Sequence, residues 1–300
     1  MSATHAVAAP LVFPLSAAET ERLVRAALEE DRAFDDVTTL TVVPQSARAR
    51  AAMVARSAGV IAGLPLAARV FEMLDGDTRC RVLVSDGARV SAGTSVLEVD
   101  GCARAVLSAE RVALNFAQRL SGIATLTASY VDAVRGTRAK ILDTRKTTPG
   151  LRALEKYAVR CGGGQNHRGD LASAVLIKDN HLESVGGDIA IAVHRARAGA
   201  PKGIQVEVEC DTREQVGRAL EAGADVILLD NMSTAEMHVC VEMVKGAAIV
   251  EASGGITLET VRAVAETGVD WISVGALTHS VPALDLALDF GPALDRESPS

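Results

Sequence analysis

From about residue 139 onward, short apolar runs recur at intervals too long for hairpins: Ala139–Leu142, Ala174–Ile177, Ile204–Val208, Val226–Leu229, Ala248–Val250 and Trp271–Val274. Between them, the stretches near 151–159, 186–198, 212–222, 234–245 and 258–267 carry their apolar positions at helical spacing. This alternation predicts parallel strands joined by crossover helices. Polar, reactive residues stand at the end of nearly every run: Asp143 to Lys146, Lys178, Glu209, Asp230, Ser253 and Gly275. Parallel α/β barrels keep their sites at that end of the strands. Six such strands fit a barrel better than a doubly wound sheet. Neither a G-x-G-x-x-G turn after the first strand nor a P-loop is present to argue otherwise.

The first third reads differently. Residues 48–56 and 79–84 alternate as strands, Gly76, Gly87, Gly93 and Gly101 mark turns, and a helix is expected near 64–74. Ser16 with Glu19 forms a capping box, so a helix is expected from about Ala17 to Glu30, with Leu23, Val24, Ala27 and Leu28 on one face. The pattern predicts a small α+β domain with a half-exposed sheet. Two further helices are expected, over about 106–120 and 123–135. Residues 1–15 read as loosely ordered, and a tail from about Gly291 as disordered.

Composition narrows the function. The chain is 48% hydrophobic but only 3% aromatic, so its core must be built from Ala, Val, Leu and Ile. The net charge is -7, yet ten basic and only three acidic residues fall between Arg135 and Lys178, leaving -14 on the rest. Such a chain does not suit broad nucleic-acid binding, which wants a basic face. A basic pocket on an acidic body suits a small, multiply charged anion. The five cysteines are scattered and form no C-x-x-C pair, which excludes a zinc ribbon or a disulfide framework and fits a reducing cytoplasm. No basic n-region of a signal peptide and no membrane-length apolar run is seen, so no membrane association is expected.

The basic segment reads D-T-R-K-T-T-P-G at 143–150, G-G-G-Q-N-H-R-G-D at 162–170 and I-K-D-N-H at 177–181. Arg145 can grip a carboxylate with two parallel hydrogen bonds, and Lys146 offers a point charge to phosphate; Thr144 accompanies them. The glycines at 162–164 let the backbone approach a ligand, and His167 and Arg168 follow at once. Lys178 could pair with phosphate, form a Schiff base or bridge to a carboxylate. Glu207 and Glu209 share one strand face. Glu209 and Asp230, at neighbouring strand ends, could hold Mg²⁺ with phosphate oxygens, or simply neutralise the lysines. Ser253, Gly254, Gly255 and Val274, Gly275, Ala276 form turns after the last two strands, where barrels bind phosphate through backbone N–H groups. His279 could reach the same rim or act as a cap.

These motifs resemble the quinolinate phosphoribosyltransferase family. With E-V-E at 207–209, L-L-D-N-M at 228–232, E-x-S-G-G-I at 251–256, V-G-A-L-T-H-S at 274–280, and the upstream E-E-D-x-x-x-x-D-V-T-T and E-R-V-A-L-N-F-x-Q-R-L-S-G-I-A-T, the resemblance covers nearly the whole chain in order. It implies an α/β protein: an open, incomplete α/β barrel with an N-terminal α/β sandwich domain. The domains would be 1–118 for the sandwich, with part of 277–290 packing on it, and 119–276 for the barrel, followed by the tail 291–300. It implies a homodimer with shared active sites, or a hexamer built from dimers, in which Arg111 reaches into the partner's site. Arg145, His167 and Arg168 match residues that bind quinolinate, and Lys146 and Lys178 match lysines at the substrate junction. Glu209 and Asp230 match the carboxylates beside the ribose and Mg²⁺, and the two turns match those for the sugar phosphate.

The activity implied is transfer of 5-phosphoribose from 5-phosphoribosyl-1-pyrophosphate to quinolinate, giving nicotinate mononucleotide, pyrophosphate and CO₂. A molybdenum-associated relative shares the scaffold, but the full cation set favours the quinolinate enzyme. A Schiff-base sugar-phosphate aldolase using Lys146 or Lys178 is the alternative of different chemistry.

Overall fold

The computed structural model describes residues 11–291. The expectations for residues 1–10 and for the tail 292–300 lie outside these residues. The chain divides into two units. One contains the described residues up to Thr125, the segment Ala153–Gly162 and the described residues from Pro282 on; the other contains Leu126–Arg152 and Gly163–Val281. Contacts thus end the first segment of the N-terminal unit at Thr125.

The N-terminal unit begins with the helix Ala17–Glu30. Ser16 Oγ accepts from the Glu19 backbone N–H, and Glu19 returns the favour to the Ser16 N–H, so two orphan donors are satisfied before the first turn. Strands β1 (Arg48–Ala55), β2 (Gly59–Val60), β3 (Arg79–Val82), β4 (Arg89–Val90) and β5 (Ser95–Cys102) follow. The main sheet is antiparallel, in the order final strand (Leu286–Phe290), β1, β5, β3. β2 and β4 pair separately. Phe71, from the helix Leu64–Leu74, and Met53 and Leu97, from the sheet, are among its largest fully buried side chains. That helix starts at Gly63, which has no side chain to cap it. The Asp86 carboxylate does so instead, accepting from Gly63 N (2.8 Å) and Leu64 N (3.2 Å). The segment Leu286–Phe290 joins this sheet as a strand, a pairing that its apolar alternation carries but its short length concealed.

Two expectations are corrected here. The helices foreseen at 106–120 and 123–135 are one helix, Ala103–Ala133. Its Gly122 reads as a break but serves packing: a Cβ there would collide with the Pro282 carbonyl and lie 3.1 Å from Ala283 Cα. The second concerns the helix Arg152–Cys161, which reads as a barrel crossover yet clusters with the N-terminal unit. The reason is polar. Arg119 Nη2 reaches the fully buried Glu155 at 2.9 Å, and Tyr157 donates to Asp86 at 2.9 Å. Phe13 packs edge-on to Tyr157 at 5.5 Å, so the described part of the first fifteen residues is fastened down.

The second unit is a six-stranded, wholly parallel sheet: β6 (Lys140–Leu142), β7 (Val175–Ile177), β8 (Val206–Cys210), β9 (Val226–Asp230), β10 (Ile249–Ser253) and β11 (Trp271–Ser273). The spatial order is β6-β11-β10-β9-β8-β7. β6 and β7 are successive in the chain and lie at opposite edges, so the barrel is open between them. A single bridge at Leu142 and Gln165 extends the β6 edge. Helices Ile189–Gly199, Arg213–Glu221, Thr234–Val244 and Val261–Glu266 supply crossovers, three of them with side-chain N-caps from Asp188, Thr212 and Ser233. At the start of two strands an aspartate ties its neighbour: Asp225 Oδ2 accepts from Val206 N, and Asp270 Oδ2 from Val250 N. Among the described residues no helix is long and apolar enough to cross a membrane.

Replacing Gly122 by Ala raises intrinsic helix propensity by about 1 kcal/mol but forces the helix off the Pro282 carbonyl, a misfit that typically costs about 1–3 kcal/mol. Gly122→Ala is therefore expected to lower the melting temperature by a few degrees in a thermal scan. A rise would show that the 282–284 segment does not press on the helix as described.

Candidate functional site

The strand register puts the site's charges on one side of the sheet. Glu209, Leu228 and Glu251 are direct lateral partners across β8, β9 and β10, and Asp230 pairs with Ser253. Side chains of paired residues point to the same face, as do residues two apart on one strand. Glu207, Glu209, Asp230 and Glu251 therefore share a face near the C-terminal ends. From β7, Leu176 pairs with Glu207, and two residues on, Lys178 reaches the same side, where it forms an ion pair with Glu209.

Cations arrive from the open edge. Asp143, the first residue after β6, is fully buried. It accepts from the Asn166 side-chain amide at 2.6 Å and the His167 backbone N–H at 2.9 Å. These bonds fasten the glycine-rich loop to the end of β6, and Arg168 in that loop comes close enough to Arg145 for their charges to interact. His167 Nε2 lies 3.1 Å from Glu207 and 3.4 Å from Glu251. Burial by itself would lower the His167 pKa; the two carboxylates more than reverse this and raise it to about 10. Burial pushes the Glu207 carboxyl above the usual carboxylate range, with the nearby His167 opposing.

Arg145 and Arg168 are the unbalanced part. Arg145 has no ion pair among the described residues, and its buried Nε has no hydrogen-bond partner. Arg168 makes one hydrogen bond, to the Ala174 carbonyl at 3.1 Å. Its pKa is lowered, first by burial and then by the charge of Arg145. Two guanidinium groups held near each other, neither in an ion pair among the described residues and with only the exposed Asp170 carboxylate acting on both, form a receptor for a planar anion.

The remaining expected residues are distributed as follows. Lys178 is 44% exposed and bridged to Glu209, which favours its salt-bridge reading over a desolvated Schiff-base amine. Thr144 turns its hydroxyl onto the Lys146 backbone N–H at 3.1 Å, so it shapes the loop. Asp230 accepts from the side chain of Asn231 at 2.6 Å. After β10, Gly254 has φ +94° and a Cβ there would strike the Asn231 side chain, while Gly255 has φ +58°. Both need glycine. Ser253 ends β10 and accepts from Asn231 N. After β11, Val274 N–H is already given to the Leu142 carbonyl. In that turn the backbone donors left for a ligand belong to Gly275 and Ala276, since the Val274 N–H is taken. Gly275 leaves room for the Lys146 stem, 3.1 Å from where its Cβ would sit, and for His279. Arg111 belongs to the other unit. It is exposed on the helix Ala103–Ala133 and has no ion pair among the described residues.

Three contributors escaped the sequence reading. Asp143 was seen only as a member of its motif. Glu251 was not singled out, although E-x-S at 251–253 repeats the two-residue spacing of E-V-E. Thr278 is fully buried and donates to the Lys146 carbonyl at 2.7 Å, tying the turn after β11 to the basic loop.

Comparison with known proteins bears on what this arrangement does. The family described as quinolinate phosphoribosyl transferase matches the chain in both of its parts, the N-terminal domain over residues 36–121 and the C-terminal domain over residues 123–289. The chain is 47% identical over 272 residues to the nicotinate-nucleotide pyrophosphorylase (carboxylating) of Mycobacterium leprae, covering 89% of this chain and 95% of that protein. It is 44% identical over 260 residues to the probable enzyme of that name from Bacillus subtilis, covering 87% and 89%. The solved structure of the nicotinate-nucleotide pyrophosphorylase from Francisella tularensis resembles it with a TM-score of 0.89 at 40% identity, over 93% of this chain and 98% of that one.

Hydrogen bonds to a charged group contribute roughly 1.5–3 kcal/mol each, and buried Asp143 accepts at least the two from Asn166 and His167. Asp143→Ala is expected to lower the urea-unfolding free energy by about 3 kcal/mol or more on that scale. A loss under about 1 kcal/mol would mean that Asp143 does not fasten the glycine-rich loop.

Proposed function

Because this chain belongs to the quinolinate phosphoribosyltransferase family and has that family's activity in de novo NAD biosynthesis, we propose that the charged groups at the C-terminal ends of its barrel strands carry out the reaction. The observation that carries this reading is the neighbouring pair Arg145 and Arg168, neither of which forms an ion pair with a carboxylate among the described residues. Quinolinate is a planar ring with two adjacent carboxylates, and a bidentate guanidinium matches each. His167 adds charge on the same side.

The sugar substrate, 5-phosphoribosyl-1-pyrophosphate, has its own partners in this reading. Gly254, Gly255, Gly275 and Ala276 receive the 5-phosphate through backbone N–H groups. Lys146 and Lys178 lie between acid and pyrophosphate. Glu209 and Asp230 fit Mg²⁺, since they are hard oxygen donors on one face of adjacent strands and Mg²⁺ is held by one or two carboxylates plus phosphate oxygens. Bound there, directly or through water, Mg²⁺ would neutralise charge on the departing pyrophosphate.

The chemistry needs no nucleophilic side chain. The ring nitrogen bonds to C1 of the ribose as the C1–O bond to pyrophosphate breaks and its electron pair leaves with the pyrophosphate. Glu209 and Asp230 stabilise the positive charge that develops on the ribose. The ring nitrogen is then quaternary. When the adjacent carboxylate leaves as CO₂, the electron pair stays on the ring carbon beside that positive charge. Lys146 stabilises or protonates this carbon. Fixed placement of both substrates supplies most of the rate.

Arg111 is read as a residue of a partner's site in a homodimer. Its exposure and its lack of an ion pair support this, as does its place outside the barrel unit. A hexamer would be a higher assembly of such dimers. The five free cysteines, three of them buried, support a reducing compartment such as the cytoplasm.

Two measurements test these assignments. Arg145→Ala is expected to weaken quinolinate binding by roughly 100-fold or more in calorimetry while leaving affinity for 5-phosphoribosyl-1-pyrophosphate unchanged; equal quinolinate affinity would refute its role. Arg111→Ala and Lys146→Ala, each inactive alone, are expected to recover roughly a quarter of wild-type activity when mixed, the statistical yield of one intact site in half of the two-fold dimers. Stable mixed dimers without activity would contradict a shared site.

A further inference from the structure

The proposed chemistry assigns no task to Glu207 or Glu251, yet both are expensive to bury. Their side chains are 4% and 1% exposed. They come from β8 and β10, on either side of β9, and converge on one atom, Nε2 of His167, at 3.1 and 3.4 Å. Among the described residues this ring is the only ion-pair partner of either carboxylate. Glu207 Oε1 and Glu251 Oε2 are buried without a hydrogen bond. A buried charge is tolerated only when it is compensated. A lone pair on Nε2 facing two carboxylates would compensate neither, and the neutral tautomer with its proton on Nε2 would bring no net charge. Only the imidazolium offsets part of the double negative charge.

The other charged groups around the ring agree with this. Asp143, at the end of β6, takes the His167 backbone N–H at 2.9 Å, which fixes the root of the side chain. Arg168, the next residue, acts on Glu207, and Arg145 acts on Arg168. With burial opposing and the two carboxylates prevailing, the ring keeps its proton up to about pH 10.

We propose that Glu207 and Glu251 are positioning residues for quinolinate binding: they clamp His167 by its Nε2 as a permanent imidazolium, so that it serves with Arg145 and Arg168 as a third fixed cation for the diacid. The proposal rests on reading this end of the barrel as the quinolinate site. An ordinary histidine loses its charge above about pH 6.5, so an unclamped ring would make quinolinate affinity fall across the neutral range. The clamp removes that dependence. It also holds the plane of a short, stiff side chain, which a lysine could not provide. The same three groups could ligate a divalent cation only with Nε2 deprotonated, so the ring's protonation state separates the two arrangements.

The test is nitrogen NMR on full-length protein labelled with ¹⁵N-histidine, titrated from about pH 6 to about pH 9. The His167 signals are identified by their absence in His167→Gln. Both ring nitrogens are expected to stay protonated throughout in the wild type. In Glu251→Gln the midpoint is expected to fall by about two pH units or more, into the titrated range, and quinolinate affinity to weaken up to about tenfold per unit above it. Glu251→Asp, which keeps the charge, is expected to restore the flat profile, and affinity for 5-phosphoribosyl-1-pyrophosphate to remain constant in every variant. A wild-type His167 that titrates near about 6.5, or whose Nε2 is unprotonated, overturns the clamp whether or not the variants fold. A flat quinolinate profile in folded Glu251→Gln overturns it as well. If wild-type protein binds no quinolinate, the reading of the site fails while the NMR result still decides the clamp.

Discussion

Everything at this site depends on compensating negative charge inside a barrel that does not close. Glu207, Glu209, Asp230 and Glu251 stand on one face of the parallel sheet. Glu207 and Glu251 are buried and the other two half-buried, and carboxylates of this density are unfavourable unless cations meet them. Lys178 meets Glu209 from the neighbouring strand. The other compensation comes through the open edge between β6 and β7, where the glycine-rich loop carries His167 inward to Glu207 and Glu251. Asp143 keeps that loop against the end of β6. The missing strand pairing is thus what lets the loop enter.

This arrangement sorts the charges by task. Carboxylates with a resident cation are settled, while Arg145 and Arg168 are left in excess. A site of this kind is selective because it penalises a substrate with too few negative charges as well as rewarding the right one. The turns after β10 and β11 add backbone donors where Gly254 and Gly255 adopt positive φ. Thr278 then ties the second of these turns to the Lys146 carbonyl. In the proposed reaction, acid and sugar phosphate would be held by loops that are hydrogen-bonded to each other, as catalysis by positioning requires.

Much of the fold was legible because its signals are local. Apolar runs separated by helical stretches marked all six parallel strands to within a few residues, and Ser16 with Glu19 marked the first helix to the residue. The barrel and the small N-terminal sheet domain followed from the pattern of strands and helices, whereas that the barrel is open followed from the motif resemblance. What failed depended on contacts distant in sequence. Gly122 looks like a break, but its purpose is set by Pro282, 160 positions away. The helix Arg152–Cys161 has crossover periodicity, yet Arg119 and Asp86 decide which unit it joins. At the site, residue types at strand ends were readable, whereas pairings were not. His167 was visible as a candidate; that two carboxylates from separate strands converge on its Nε2 was not. Val274 matched a motif, but the Leu142 carbonyl had already taken its N–H.

The central claim is that the surplus of fixed cations is matched to a ring diacid and that its turnover is coupled to loss of one carboxylate. The most direct measurement compares quinolinate with nicotinate, the same ring bearing one carboxylate, each supplied with 5-phosphoribosyl-1-pyrophosphate and Mg²⁺, while pyrophosphate and CO₂ are followed together. The account predicts that quinolinate yields pyrophosphate and CO₂ in equal amounts and that nicotinate is turned over poorly or not at all. Comparable turnover of nicotinate, or pyrophosphate release from quinolinate without CO₂, would contradict it.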